Sequence, residues 1–271
     1  MLETFTLVFI NLLLPLSILY IILSWLQFLC FEHPPPTDDN VQRIVLVTGA
    51  ASGIGREIVR ELLSRGDVVV GLDLHPTFDL AAVPVAPSSA ARFTYFQCDV
   101  TNADTVKQCA ERMKRENIKL DVIVNCAGIN RGGPLLEMNP KDMSSVLGVN
   151  VLGAANVTRY FYSLLFLENG PKLVYISSEV GWSRTTSAFN VPYSMSKICL
   201  ESYCVGLRQE LSTIGDDLTP FVVVVNPGAM NTPLLAASLR SGFEPKENSQ
   251  FRAAMMKGGV VAKDYMERHG K

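Results

Sequence analysis

Ile44 to Leu63, IVLVTGAASGIGREIVRELL, is the stretch whose reading decides the fold. It opens with a β-branched apolar run, Ile44-Val45-Leu46-Val47, bounded by Gly49, which reads as a buried parallel strand. A turn with Gly49, Gly53 and Gly55 follows at the spacing TGxxxGxG. Ile58, Leu62 and Leu63 then recur at helical intervals, which predicts a helix from near Gly53. Strand, glycine turn and helix together aim free backbone N–H groups and a positive helix end at a phosphate. A glycine turn by itself serves equally well as a plain βα connection, so the rest of the chain has to decide.

Outward from that stretch, strand and helix alternate. Val68 to Leu72 ends at Asp73, Phe93 to Phe96 leads to Asp99, and Val122 to Val124 opens into Asn125-Cys126-Ala127-Gly128. Leu173 to Ile176 ends at Ser177-Ser178, and Phe221 to Val225 ends at Asn226-Pro227-Gly228. Helices are predicted over Thr101 to Glu116, capped by Thr101 or Asn102, over about Pro140 to Leu167, and around Tyr193 to Leu211. Residues 75–92, rich in Pro, Ala and Ser, read as an irregular connection. Repeated βα units argue for a Rossmann-type α/β fold, a doubly wound parallel sheet in a single domain.

Net charge is −2 with no block of like charge, which excludes a nucleic-acid partner. The six cysteines form no CxxC pair, and the three histidines sit near none of them, so no metal site is expected. Most of the cysteines fall in apolar runs, which predicts buried free thiols and favours a reducing compartment.

No charged residue lies between Glu3 and Glu32. That run exceeds the ~20 residues that span a bilayer as a helix. No Lys or Arg precedes it and no small-residue cleavage site follows, which disfavours a signal peptide. Residues 1–32 are therefore expected to be a membrane anchor and 33–41, with Pro34, Pro35 and Pro36, a stiff linker. Residues 42–271 are the expected catalytic domain. Pro15 leaves open whether the anchor is a kinked spanning helix or a hairpin.

In open parallel sheets, ligands bind beyond the carboxyl ends of the strands, where the polar residues above collect. Asp73 stands where an acid accepts hydrogen bonds from an adenosine ribose, and its charge would repel a 2′-phosphate. That favours NAD over NADP as cofactor. In Tyr193-Ser194-Met195-Ser196-Lys197, the phenol and the ammonium stand one helical turn apart. The ammonium is expected to lower the phenol pKa from its ordinary ~10 and so fit it for proton exchange with an alcohol or ketone. Ser178 could hold the substrate oxygen beside it.

Taken together, these pieces resemble the short-chain dehydrogenase/reductase family, in its TGxxxGxG and YxxxK branch, and within it the membrane-anchored retinol and hydroxysteroid dehydrogenases. The likeness covers about Arg43 to Pro233. It implies Tyr193 as general acid/base, Lys197 as its tuner and a holder of the nicotinamide ribose, and Ser178 as the group that orients the substrate. Asn150 would support a water-linked proton path to Lys197. Cofactor binding would fall to Thr48, Gly49, Ser52, Gly53, Ile54 and Gly55, to Asp73, Asp99 and Val100, to Asn125, Ala127 and Gly128, to Tyr193 and Lys197, and to Pro227, Gly228 and Thr232. Cys126 departs from the family's usual Asn, and the loop between Ser178 and Tyr193 is slightly long.

The family continues with a further helix and a seventh strand. Here residues 251–271 offer helical-looking pieces and no strand, so an incomplete or different C-terminus is expected.

Met230, Pro233, Leu234, Leu235 and Leu239 make the expected substrate cover apolar. With the anchor, this suggests a lipophilic alcohol or ketone of retinoid, steroid, sphingoid or fatty acyl type. The alternatives are an NADP-linked lipid ketone reductase and a catalytically idle NAD-binding membrane protein. The expected location is a membrane, endoplasmic reticulum or lipid droplet, with the catalytic domain facing cytosol and a homodimer as a candidate assembly. Asn156-Val157-Thr158 matches a glycosylation signal but falls in a predicted helix and is discounted.

Overall fold

The computed structural model describes residues 42–80, 91–167, 171–186, 189–214, 220–228 and 234. Six parallel strands form one sheet: β1 Ile44–Thr48, β2 Val68–Asp73, β3 Phe93–Gln97, β4 Val122–Asn125, β5 Lys172–Ile176 and β6 Phe221–Val225. Their order is β3-β2-β1-β4-β5-β6, so the winding reverses at β1. Ligands of such sheets sit at the crevice where the order reverses. Here that crevice lies between the ends of β1 and β4, which carry the glycine turn and Asn125 to Gly128.

The inner strands β1, β2 and β4 are apolar on both faces because both are covered, while the edge strand β3, FTYFQ, leaves Thr94 and Gln97 exposed. Leu46, Leu72, Ile123, Leu173, Tyr175 and Val222 turn into one core, while Val45, Val47, Val69 and Val124 turn into another. Helix α1, Gly53–Arg65, buries Val59 and Leu63 in the second core. It ends at Gly66, whose φ of +94° lets its N–H turn back to the Leu62 and Leu63 carbonyls.

Helix α2 spans Ala103–Arg115 and is capped by Asn102, whose side chain accepts from the Asp104 and Thr105 amides at 3.0 and 3.3 Å. Asn102, rather than Thr101, is therefore the cap. Helix α3, Pro140–Leu147, runs into a π-helical turn, Gly148–Gly153, and then α4, Ala154–Phe161. The helix expected as far as Leu167 ends earlier: a 3₁₀ turn follows over Tyr162–Leu164, and Leu165 bridges to Leu120. A short helix α5, Glu179–Trp182, was not expected from the sequence. Helix α6, Val191–Ile214, is longer than its expected span at both ends.

Among the described residues no helix is long and apolar enough to cross a membrane. The N-terminal apolar run and the Pro-rich linker, residues 1–41, lie outside the described residues, as do Thr232 and most of the expected substrate cover.

Candidate active site

The glycine turn is built by close approach. Gly49 has φ +67° and Gly53 φ +51°, a region costly for other L-residues. A Cβ on Gly49 would stand 2.8 Å from the Ala127 Cα, and one on Gly55 would run into the Gly49 carbonyl. Thr48 closes the joint from below: its buried hydroxyl accepts from the Cys126 and Ala127 amides, both at 3.0 Å. Thr48 thus clamps the β1 and β4 ends together through its side chain.

Ser52 caps α1 without a side-chain hydrogen bond, and the first turn of α1 holds no acid. The helix start, with Ile54 half-buried beside it, therefore presents amide N–H groups with no acid in its own first turn. These features fit the pyrophosphate of a dinucleotide.

Asp73 binds both neighbouring loops. Its Oδ2 accepts from the Ala51 amide at 2.9 Å and its Oδ1 from the His75 amide at 2.9 Å. The acid at the end of β2 thereby joins the glycine turn, at the position expected of a ribose acceptor. Asp99 Oδ1 accepts from the Thr101 amide and hydroxyl at 2.9 and 2.7 Å. Val100 turns its side chain into the core, where a Cβ on Gly153 would meet it at 2.7 Å. Its isopropyl group is taken up in packing, and its carbonyl accepts from Asn156 Nδ2 at 3.0 Å.

On the other side of the crevice, Lys197 is 4 % exposed and donates from Nζ to the Ile176 carbonyl at 2.8 Å. Nζ lies 5.7 Å from the centre of the Tyr193 ring and 3.7 Å from where a Gly128 Cβ would stand. Since Gly49 packs on Ala127, the loop Cys126 to Gly128 lies between the glycine turn and the Lys197 ammonium. Burial lowers the Lys197 pKa to about 8, with Cys126 and Glu201 opposing the shift. Burial pushes the Cys126 thiol up to about 11.

The Tyr193 phenol departs from expectation. Its pKa lies above the ordinary value because burial outweighs the hydrogen bond from Ser178, and the Glu179 carboxylate adds to the rise. Burial thus sets the direction, against the lowering expected from the ammonium one turn away, whose Nζ donates to the Ile176 carbonyl. Ser178, 8 % exposed, is a neighbour that pulls the phenol pKa down and starts α5 with its hydroxyl unused as a cap.

Asn150 sits in the π-helical turn, a distortion often found at functional positions. Its Oδ1 accepts from the Ile129 amide at 2.8 Å, and its Nδ2 donates to the Ile129 carbonyl at 3.0 Å and to Ser196 Oγ at 2.9 Å. Asn150 therefore holds the loop after β4 against α6. Asn125 is buried, with Nδ2 3.5 Å from the Thr158 hydroxyl and Oδ1 without a partner. The Pro227 carbonyl accepts from the Glu179 amide at 3.1 Å, and Gly228 faces the Glu179 carboxylate.

Ser196, Glu179 and Gly181 went unread in the sequence. Ser196 links Asn150 to the Tyr193 carbonyl, 2.7 Å away, and lies inside the Tyr-to-Lys motif, so its position was the available signal. Gly181 leaves no room for a Cβ beside Ser177 Oγ and the Lys197 carbonyl. Among the described residues no cluster of three or more His, Cys, Asp or Glu side chains could hold a metal ion.

A parallel sheet with a glycine-lined crevice facing a Tyr-Lys pair defines a nucleotide-dependent oxidoreductase. The short chain dehydrogenase family model matches residues 43–241, and the chain belongs to that family. It is 33% identical over 196 residues, 72% of this chain and 78% of the relative, to the NADPH-dependent pterin aldehyde reductase of Arabidopsis thaliana. It is 28% identical over 197 residues, 70% of this chain and 65% of the relative, to the 3-ketodihydrosphingosine reductase of Bacteroides thetaiotaomicron. Its fold is similar to that of a short chain dehydrogenase/reductase from Burkholderia phymatum, solved in complex with NAD. The TM-score is 0.66 and the identity 23%, covering 82% of this chain and 78% of that one. The chain is thus an NAD(P)-linked oxidoreductase.

Proposed function

We propose that the chain is a membrane-associated oxidoreductase that moves a hydride between NAD(H) and a lipophilic alcohol or ketone. The observation that supports this reading is the run of contacts from the glycine turn to the Tyr-Lys pair: Gly49 lies on Ala127, Gly128 lies beside Lys197 Nζ, and that ammonium stands 5.7 Å from the Tyr193 ring centre. When bound, the nicotinamide supplies or accepts the hydride. Ser178 donates to the substrate oxygen and orients it. Tyr193 gives a proton to that oxygen in reduction and takes one in oxidation. Lys197, held by the Ile176 carbonyl, places its positive charge beside the phenol and the cofactor ribose. Asn150 and Ser196 fix the backbone that carries them.

Asp73 supports NAD, since a 2′-phosphate would meet its charge. The apolar run at residues 1–32 supports membrane attachment, and with Leu234 and its neighbours it supports a lipophilic substrate. The sphingoid-type substrate in the name of the Bacteroides relative points the same way. An NADPH-linked reductase is the second reading, favoured by the NADPH dependence in the name of the Arabidopsis relative.

The test is a panel of retinoid, steroid, sphingoid and fatty alcohols and ketones, assayed with each cofactor on the full chain in lipid. Tyr193→Phe should lower turnover by about 10²- to 10⁴-fold while NADH binding persists. Cofactor binding without turnover on any substrate would replace this reading with that of an idle nucleotide-binding protein.

A further inference from the structure

Tyr193 lies in the first turn of α6, and one loop grips that turn at both ends. At the far end, Ser196 Oγ donates to the Tyr193 carbonyl at 2.7 Å and accepts from Asn150 Nδ2 at 2.9 Å. Asn150 in turn holds the Ile129 amide and carbonyl. At the near end, Asn190 directly precedes α6, and its carbonyl accepts from the Ser194 amide at 3.0 Å. The Asn190 Oδ1 accepts from Asn130 Nδ2 at 2.9 Å. Ile129 and Asn130 are consecutive residues of the loop after β4. A closed ring thus runs from Ile129 through Asn150 and Ser196 to Tyr193, and back through Asn190 to Asn130.

Three observations set the Asn130–Asn190 bond apart from ordinary loop packing. An asparagine ahead of a helix commonly turns its side-chain oxygen onto the second or third helical amide. In α6 the second residue is Pro192, which has no N–H, and the Asn190 oxygen goes to Asn130 instead. Asn130 is 5 % exposed, and its own Oδ1 is buried with no partner among the described residues. A carboxamide buried with one end unpaired is a poor stabiliser, so stability alone does not account for it. The junction also carries backbone strain. Phe189 has φ +66°, a region that bulky side chains rarely take, and its carbonyl accepts from the Gly133 amide of the same loop at 2.7 Å.

We propose that Asn130 is a positioning residue for proton transfer, fixing the first turn of α6, and with it the Tyr193 phenol, through Asn190. The inference rests on Tyr193 as the acid/base of the proposed reaction. The loop that holds Asn190 also carries Gly128, which lies beside Lys197 Nζ, so phenol and ammonium are set from one support. Asn130 acts through Asn190 rather than on the substrate. Without it the Ser196 end of the ring remains, and the turn is held at one end only. A misplacement of about 1 Å at a reacting group costs about 10²-fold in rate.

The test compares the wild type with Asn130→Ala, Asn190→Ala and Asn190→Asp, each as the full chain in lipid. Asn190→Asp keeps an acceptor for Asn130 Nδ2 and puts a negative charge at the start of α6, where the helix end favours it. Asn190 is half-buried, so its alanine variant keeps the test open should Asn130→Ala not fold. Turnover is measured with the best substrate of the retinoid, steroid, sphingoid and fatty panel, and NADH affinity by fluorescence. Both alanine variants should lower kcat about ten- to a hundredfold and keep NADH affinity within about twofold, while Asn190→Asp restores kcat to within about threefold of wild type. Hydrogen exchange on the NADH-bound chains should quicken at Ser194 to Lys197 in the alanine variants and stay unchanged in α2. A bond that only stabilised the fold would lower the unfolding midpoint and leave kcat of the folded protein alone, and that result overturns the proposal. So does a parallel loss of NADH affinity, or an Asn190→Asp variant as slow as Asn190→Ala. If the wild type turns over nothing in the panel, the acid/base reading of Tyr193 falls and the positioning role with it. Exchange alone then decides the hold on α6, and unchanged rates at Ser194 to Lys197 would overturn that as well.

Discussion

Replacing Lys197 with Met should change the pH dependence of stability in a direction the structure sets. Burial holds the Lys197 pKa at about 8, against an ordinary 10.5. Below pH 8 the ammonium is charged in both folded and unfolded chains, and the folded state carries the full cost of burying it. Between pH 8 and 10.5 the unfolded chain keeps a proton that the folded chain has shed. Unfolding then takes up a proton, so wild-type stability rises with pH through that window. Above 10.5 the cost is gone.

At about 1.4 kcal/mol per pH unit the whole cost is about 3 kcal/mol, of which about 2 kcal/mol is recovered between pH 7.5 and 10. Met carries no such charge. It does leave the Ile176 carbonyl without its 2.8 Å donor, a loss of about 1–3 kcal/mol at any pH. At pH 7.5 the variant should therefore match or exceed the wild type, although turnover collapses. At pH 10 it should be the less stable of the two. Urea unfolding of both proteins at half-unit steps of pH measures the difference. A difference that stays constant from pH 7.5 to 10 would refute a buried, destabilising ammonium at this position.

Gly49→Ala and Gly66→Ala separate packing from backbone strain. Both glycines have positive φ, but a Cβ at Gly66 meets nothing within 4 Å, whereas one at Gly49 meets the Ala127 backbone. Gly66→Ala should cost the strain alone, about 1–2 kcal/mol. Gly49→Ala should cost about 2–5 kcal/mol, because it also forces apart the Thr48 hydrogen bonds to Cys126 and Ala127. Equal unfolding midpoints would contradict this. Asp73→Asn keeps an acceptor for the Ala51 amide and removes the charge, so affinity for NADPH relative to NADH should rise by about tenfold or more in paired titrations. Asn150→Ala leaves the part-buried Ile129 amide and carbonyl without their partner, at about 1–3 kcal/mol each, while Ser196 Oγ keeps its bond to the Tyr193 carbonyl, and thermal unfolding should register the loss.

Local chemistry was legible in the residues themselves. The β-branched and aromatic runs set six strands, the inner ones apolar at nearly every position because both their faces are buried. The glycine spacing after β1 set the turn, since φ above zero and backbone contact leave no choice of side chain. The Tyr193 to Lys197 spacing placed both groups on one helix face. What the sequence could not decide depended on distance in space. Lys197 was expected to lower the Tyr193 pKa, but its ammonium turns to a carbonyl of β5, and burial governs both groups. Asn150, in the π-helical turn, is bonded to Ile129 and Ser196, partners 21 and 46 residues away. Asp73 reaches Ala51 and Thr48 reaches Ala127 because the sheet order brings them together. Propensity and spacing act over one or two turns of chain. Desolvation and charge act across the folded crevice, so they were settled only when the strands had found their neighbours.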